Sequence, residues 1–364
     1  MTTTSLDDTR LQDASAAFQA SEQIYRNMRT PLYEDFCRHA ASDPEMLALA
    51  AGGMDAALPT HLFSAVHYLL LRDPSDPLAR HFATIDADPL PPERAYPKLA
   101  RFCREHRDEL RELLETRTVQ TTYAERCRAL LAPMCVVARE VGEPLNLIEI
   151  GCSGGVLLAF DKFAYRLNGQ GIVGSPDAPL LLEGELQGGP ELFIPQIGKR
   201  TGLDLHTIDV SSEDERRWLL ALCFPELRAE QERLAKALDV VAQTDIHLME
   251  GDALVHLPFA LADTPDPLCV FHSACIFYWP AEARIRLHHM LLEASRTRPI
   301  WRIAIEPSFV FDDWEKPTNE TTAVRQNLKA GGINLIRYRD GAAERQVLGQ
   351  NNSDYGIVRW GNAD

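Results

Sequence analysis

The stretch from Asn146 to Leu157, NLIEIGCSGGVL, constrains the fold more than any other part of the chain. Leu145, Leu147, Ile148 and Ile150 form an apolar run of strand length, broken at Gly151-Cys152-Ser153-Gly154-Gly155. Apolar residues return at helical spacing, which predicts a helix over Val156–Tyr165. Strand, glycine turn and helix in that order open a doubly wound sheet, where ligands lie beyond the carboxyl ends of the strands. The glycines permit a tight turn and close backbone approach, and a helix N-terminus offers free N–H groups. A dinucleotide fingerprint, G-x-G-x-x-G, is not what the spacing supplies, which disfavours a nicotinamide-dependent oxidoreductase.

Composition narrows the partners. At 364 residues the chain fits two domains or one enlarged one, with 45% hydrophobic and 25% charged residues, an ordinary globular mixture. A net charge of −16 argues against a nucleic-acid or anionic-membrane surface, both of which need a basic footprint. The eight cysteines include no C-x-x-C pair and no zinc-finger spacing, so no metal is expected. MTTTSLDDTR has neither a basic leader nor an apolar core, so a cytoplasmic, reduced setting is expected.

Taken in order, residues 1–15 are polar and are expected to form a disordered tail. Helical periodicity with breaks at prolines predicts an all-helical N-terminal domain over 16–140. From 141 to 364 the pattern alternates between strands and helices. Expected strands are Leu203–Val210, ending at Asp209, then Ile246–Met249, Leu268–Ala274 and Ile300–Ile305. Two closing strands are expected at Ile333–Arg339 and Tyr355–Trp360, with Arg345–Leu348 extending the hairpin. The glycine- and proline-rich segment 166–200 reads as a β-rich insertion of hairpin or arm type. It would serve as a lid, as a route to an oligomer, or as a plain surface excursion.

Glu149-Ile150-Gly151-Cys152-Ser153-Gly154-Gly155 resembles motif I of the class I S-adenosylmethionine-dependent methyltransferases, with Ser153 where the middle glycine stands. The order of elements resembles the same fold, Rossmann-like with a mostly parallel sheet and a terminal antiparallel hairpin. In such a sheet the ligand-touching positions follow successive strands. Asp209 is then placed to accept from ribose hydroxyls, or simply to start the next helix. Gly251-Asp252-Ala253 resembles the third motif of that family, whose acid accepts from the adenine amino group. After the fourth strand, His272 is a candidate base and Tyr278 or Trp279 a candidate face for a sulfonium, or all three are structural, with Ser273 beside them. Glu306 and Asp161 are pocket candidates, or solvated ends of their elements. Cys152 reads as a small residue filling the turn.

A wider set of segments resembles one bacterial family, domain of unknown function 2332. It includes Ala65–Leu71, Phe102–Arg107, Arg117–Thr121, Glu149–Gly155, Gly202–Leu205 with Ile208–Val210, Arg217–Leu219, Gly251–Ala253 and His272-Ser273. The resemblance implies a methyltransferase-like domain with a helical N-terminal extension. It also makes Gln120, Thr121 and Arg126 candidate lid-side contacts. The resulting expectation is a methyltransferase using S-adenosylmethionine on a small-molecule acceptor. The alternative is a non-catalytic or regulatory ligand-binding protein on the same scaffold.

Overall fold

The structure is a computed structural model that describes residues 3–52, 58–169, 171–307, 310–311 and 330–361. The chain divides into two compact units, one of residues 1–122 with 211–235 and one of 123–210 with 236–364.

The first unit is helical: α1 (Thr3–Met28), α2 (Pro31–Ala40), α3 (Pro44–Ala50), α4 (Leu58–Arg72), α5 (Tyr96–Glu105) and α6 (Arg107–Thr116). Helix α1 begins inside the stretch expected to be a disordered tail, and Ala14 and Phe18, four residues apart, are fully buried. The unit also takes back α8 (Glu213–Ala221), which packs on α4 through the buried Trp218. The helical unit therefore ends before residue 140 and resumes later, because its core is completed by a helix borrowed from the α/β part. The next helix, α7 (Arg126–Val141), belongs to the second unit.

The second unit is mixed α/β, built on β1 (Leu145–Ile150), β2 (Ala164–Leu167), β3 (Leu181–Gln187), β4 (Ile197–Asp204) and β5 (His247–Glu250). The remaining strands are β6 (Leu268–Ser273), β7 (Ile300–Glu306), β8 (Ala330–Arg339), β9 (Ala342–Asn352) and β10 (Ile357–Trp360). They form one ten-stranded sheet in the order β2-β3-β10-β9-β8-β7-β6-β1-β4-β5. Among the named strands the antiparallel pairs are β7–β8, β8–β9 and β9–β10, and an isolated antiparallel bridge joins Tyr165 of β2 to Val173. From β1 the chain moves to β4 and β5 on one side, while β6 and β7 lie on the other. The order reverses at β1, which is where an open α/β sheet leaves a crevice for a ligand.

Helices α10 (Ala253–Asp263) and α11 (Ala281–Ala294) cover one face, packing Leu257, Leu287 and Leu291 on Ile148, Val270 and Ala304. Trp301 and Arg337 point the other way, and both reach Glu140 of α7 on the opposite face. Gly142, at φ +73°, ends α7 in the left-handed conformation. Helix α9 (Arg228–Val241) runs from one unit into the other.

Three sequence expectations change. The helix over Val156–Tyr165 is a 3-10 helix at Leu157–Lys162 followed by β2. The carbonyls of Leu158 and Phe160 are taken by Arg200 Nε (2.9 Å) and the Tyr165 hydroxyl (2.6 Å), so they receive side-chain donors. The 166–200 segment is not a hairpin: β3 pairs in parallel with β2 on one edge and β10 on the other. The closing hairpin has three strands, because β9 runs for eleven residues through Arg345–Leu348.

Candidate functional site

The glycine turn leaves β1 with Gly151 at φ +78° and Gly155 at φ +81°. A Cβ on Gly151 would lie 2.2 Å from Cys275 Sγ, so only glycine fits between β1 and the segment after β6. Ser153 takes φ +51°, a conformation that non-glycine residues adopt at a cost. Its amide donates to Asp204 Oδ2 at 2.7 Å, which holds it there. Gly154 is buried in the same turn.

Asp204 is the acid that ends the strand beside β1. The expected strand over Leu203–Val210 ends five residues earlier, so Asp209 lies exposed in the turn before α8. The register slipped because IGKRTGLD is polar and glycine-containing, whereas LHTIDV alternates. Gly202 is nonetheless required within the sheet: a Cβ there would lie 2.6 Å from Cys152 Sγ. Asp204 Oδ1 accepts from His206 N (3.2 Å), and burial raises its pKa. Asp252 is exposed and caps α10, accepting from Leu254 N at 2.8 Å; Ala253 opens that helix. Gly251, at φ +129°, donates its amide to Asp204 O (2.8 Å).

On the other side of β1 the buried groups form a chain. His272 Nδ1 lies 2.8 Å from Glu306 Oε1, and Arg302 Nε donates to His272 Nε2 at 3.0 Å. An arginine can only donate, so Nε2 is the acceptor and Nδ1 carries the proton. Burial, then the charge of Arg302, lowers the His272 pKa, which keeps the ring neutral. Glu306 Oε1 also accepts from Cys275 N (3.0 Å) and Ile276 N (3.1 Å), fixing the segment after β6. Both ring nitrogens of His272 are therefore engaged within the protein. In this position it braces Glu306 and has no nitrogen to offer an acceptor. Tyr278 is 63% exposed, and Ala274 is a second non-glycine residue at positive φ (+49°).

Asp161 pairs with Arg200 at 2.7 Å, both side chains buried, and so ties the 3-10 helix to β4. Arg126 Nη1 donates to Ser273 O at 3.1 Å. Gln120 and Thr121 lie in the first unit, half-buried. The structure thus gathers Glu149, Gly151, Ser153, Gly154, Gly155, Arg126, Ser273 and Glu306 at the carboxyl ends of β1, β6 and β7. Sequence reasoning missed Asp204, Cys275 and Arg302. The first had a signal in Gly202-Leu203-Asp204; a buried arginine in an apolar strand had none.

Four polar atoms at these strand ends are buried without a hydrogen-bond partner: Glu149 Oε2, Ser153 Oγ, Ser273 Oγ and Glu306 Oε2. Buried polar atoms are ordinarily hydrogen-bonded, and these four lie at the ends of neighbouring strands. Glu149 is 2% exposed; burial raises its pKa well above the usual range, Arg126 opposes the shift and Asp204 adds to it. Among the described residues no cluster of histidine, cysteine and acidic groups is placed to hold a metal ion. No described helix is long and apolar enough to cross a membrane.

Fold and site define an α/β protein with a mostly parallel sheet and a cluster of buried polar and acidic groups at the carboxyl ends of its central strands. The chain belongs to the family described as "Uncharacterized protein conserved in bacteria (DUF2332)", whose profile matches residues 15–360. No curated protein and no solved structure matches it.

Proposed function

We propose that the protein is an S-adenosylmethionine-dependent methyltransferase acting on a small-molecule acceptor, with the crevice beside β1 as its cofactor site. The observation that carries this reading is Asp204. It ends the strand next to β1, and its carboxylate meets the glycine-turn amide at Ser153. An acid at that topological position receives ribose hydroxyls. The electrostatics favour the same class of ligand. Asp204 would repel the pyrophosphate of a nicotinamide dinucleotide, whereas S-adenosylmethionine has no phosphate and carries a sulfonium and an ammonium.

The residues that would hold it are Glu149, the turn Gly151–Gly155 and Asp204, with Gly251, Asp252 and Ala253 one βα unit further on. When bound, the cofactor supplies an electrophilic methyl group that needs a nucleophile held in line. This chain's contribution is orientation: Glu306 fixes the backbone at Cys275 and Ile276, and His272 and Arg302 fix Glu306. Base catalysis by His272 is not part of the proposal, because both nitrogens are engaged.

Calorimetric titration with S-adenosylmethionine and S-adenosylhomocysteine tests the reading. The expected affinity is micromolar, about −8 kcal/mol. Asp204→Asn should weaken binding tenfold or more, and Asp209→Ala should leave it unchanged. No heat with either ligand removes the methyltransferase reading; equal loss in both variants removes the assignment to Asp204. A second reading, ligand binding without turnover, is favoured by the engaged state of His272. It predicts tight S-adenosylmethionine binding and no S-adenosylhomocysteine formed with any acceptor.

A further inference from the structure

Glu149 sits at the end of β1 with 2% of its surface exposed, and its Oε2 has no hydrogen-bond partner. No described residue forms an ion pair with it. The charged and titratable groups acting on it come from several elements. Arg126 and Cys127 belong to α7, Asp204 to β4, Cys152 to the glycine turn and Cys275 to the segment after β6. Burial raises all three thiols well above their usual range, so they are neutral, and Asp204 is a second acid. Arg126 is the single cation among these groups, and its Nη1 is directed to Ser273 O. Burial outweighs Arg126 and the Leu158 backbone, which both favour the charged form of Glu149; a carboxylate so weakly compensated costs several kcal/mol of lost hydration, whereas the neutral acid costs far less.

We propose that the ligand of this crevice sets a positive charge against Glu149, and that the carboxyl group releases its proton to solvent as that charge arrives. The free protein holds Glu149–COOH; the complex holds Glu149–COO⁻ against the cationic group, and one proton leaves for each ligand bound. The charge on Glu149 then exists only when the ligand supplies its partner, which discriminates against anionic and neutral ligands. For the ligand's identity this rests on the reading above, since S-adenosylmethionine and S-adenosylhomocysteine both carry an ammonium group.

Two measurements separate the inference from that reading. Titration of the full chain with S-adenosylhomocysteine, in buffers of low and high ionisation enthalpy near pH 7.5, reads proton release directly. The expected slope of heat against buffer enthalpy corresponds to about one proton. Glu149→Gln should bind more weakly with a slope of zero, and neutral adenosine should release none in the wild type. Equal heat in every buffer, or an unchanged slope in Glu149→Gln, overturns the inference while leaving the cofactor assignment standing. Infrared spectroscopy of the unliganded wild type tests the protonated state without any ligand. A carboxylic-acid carbonyl band should be present at neutral pH and absent from Glu149→Gln, and its absence from the wild type overturns the proposal. If S-adenosylhomocysteine fails to bind but the band is present, the methyltransferase reading fails and the protonated Glu149 remains.

Discussion

The two sides of β1 handle buried charge differently. Toward β7, Glu306 is linked through neutral His272 to Arg302, and three N–H groups converge on its Oε1. Toward β4, the charge of Asp204 adds to the burial that disfavours ionised Glu149, and Arg126 opposes it. In the first arrangement every hydrogen bond to Glu306 falls on Oε1 and the acid works as a brace, with its Oε2 unpaired. The second has no ion-pair partner on its acid, and under the proposal above a cationic ligand supplies one. A buried acid is therefore not by itself a sign of function; the state of its partners separates the two cases.

The largest test of this contrast is Arg302→Met. Removing the cation strands a buried carboxylate, and the expected loss is about 3–5 kcal/mol in denaturant unfolding. The double variant with Glu306→Gln should recover much of it. A single-variant loss under about 1 kcal/mol would mean that Glu306 does not depend on Arg302. Gly151→Ala comes next. Its Cβ meets Cys275 Sγ and its φ is +78°, so a loss of about 3 kcal/mol is expected together with loss of ligand binding.

pH dependence sharpens the comparison because the two sides respond with opposite signs. Glu149 has a raised pKa in the folded state, so the folded chain keeps a proton that the unfolded chain loses above the ordinary carboxyl value of about 4.3. Stability therefore falls as pH rises from there, by up to about 1.4 kcal/mol per pH unit, until the folded group ionises. Glu149→Gln should flatten that slope in melting experiments. His272 has a lowered pKa, so its contribution is intact above about 6.5 and is lost as pH falls below that value. His67 in the first unit behaves the same way, lowered to about 4 by burial between Ala221 O and Thr84 Oγ1. A wild-type acid limb unchanged by substituting either histidine would break this account. The smallest effect is expected for Ser153→Gly, which relieves a positive φ and should be neutral or stabilising by under about 1 kcal/mol. A clear loss of stability would instead show that the Ser153 side chain contributes to the free protein.

Much of the second unit was legible because its central strands are apolar runs between clear breaks. β1, β6 and β7 fall within a residue or two of their sequence positions. β4 was misplaced because its requirements are steric: Gly198 and Gly202 lie against Asn146 Oδ1 and Cys152 Sγ, and apolar periodicity cannot see a contact across strands. The same shift moved the second-strand acid from Asp209 to Asp204. Glu149, Ser153, Ser273 and Glu306 were legible as candidates, but their unpaired atoms were not. Nor was the engagement of His272, because both its partners lie some thirty residues further along the chain. The return of α8 to the first unit depends on tertiary packing that no local pattern encodes.

The parallel pairing of β3 with β10 has a consequence for synthesis. Glu185, Leu186 and Gln187 find their neighbours at Ile357, Val358 and Arg359, in the last of the ten strands in chain order. Strands β2 and β3 must wait beside an open edge while well over a hundred residues are added, a long loop closure that slows folding and exposes the intermediate. Nascent chains should thus gain protease resistance around β2 and β3 only after β10 has emerged. For the nascent protein, the segment just after the glycine turn is a clasp that fastens last.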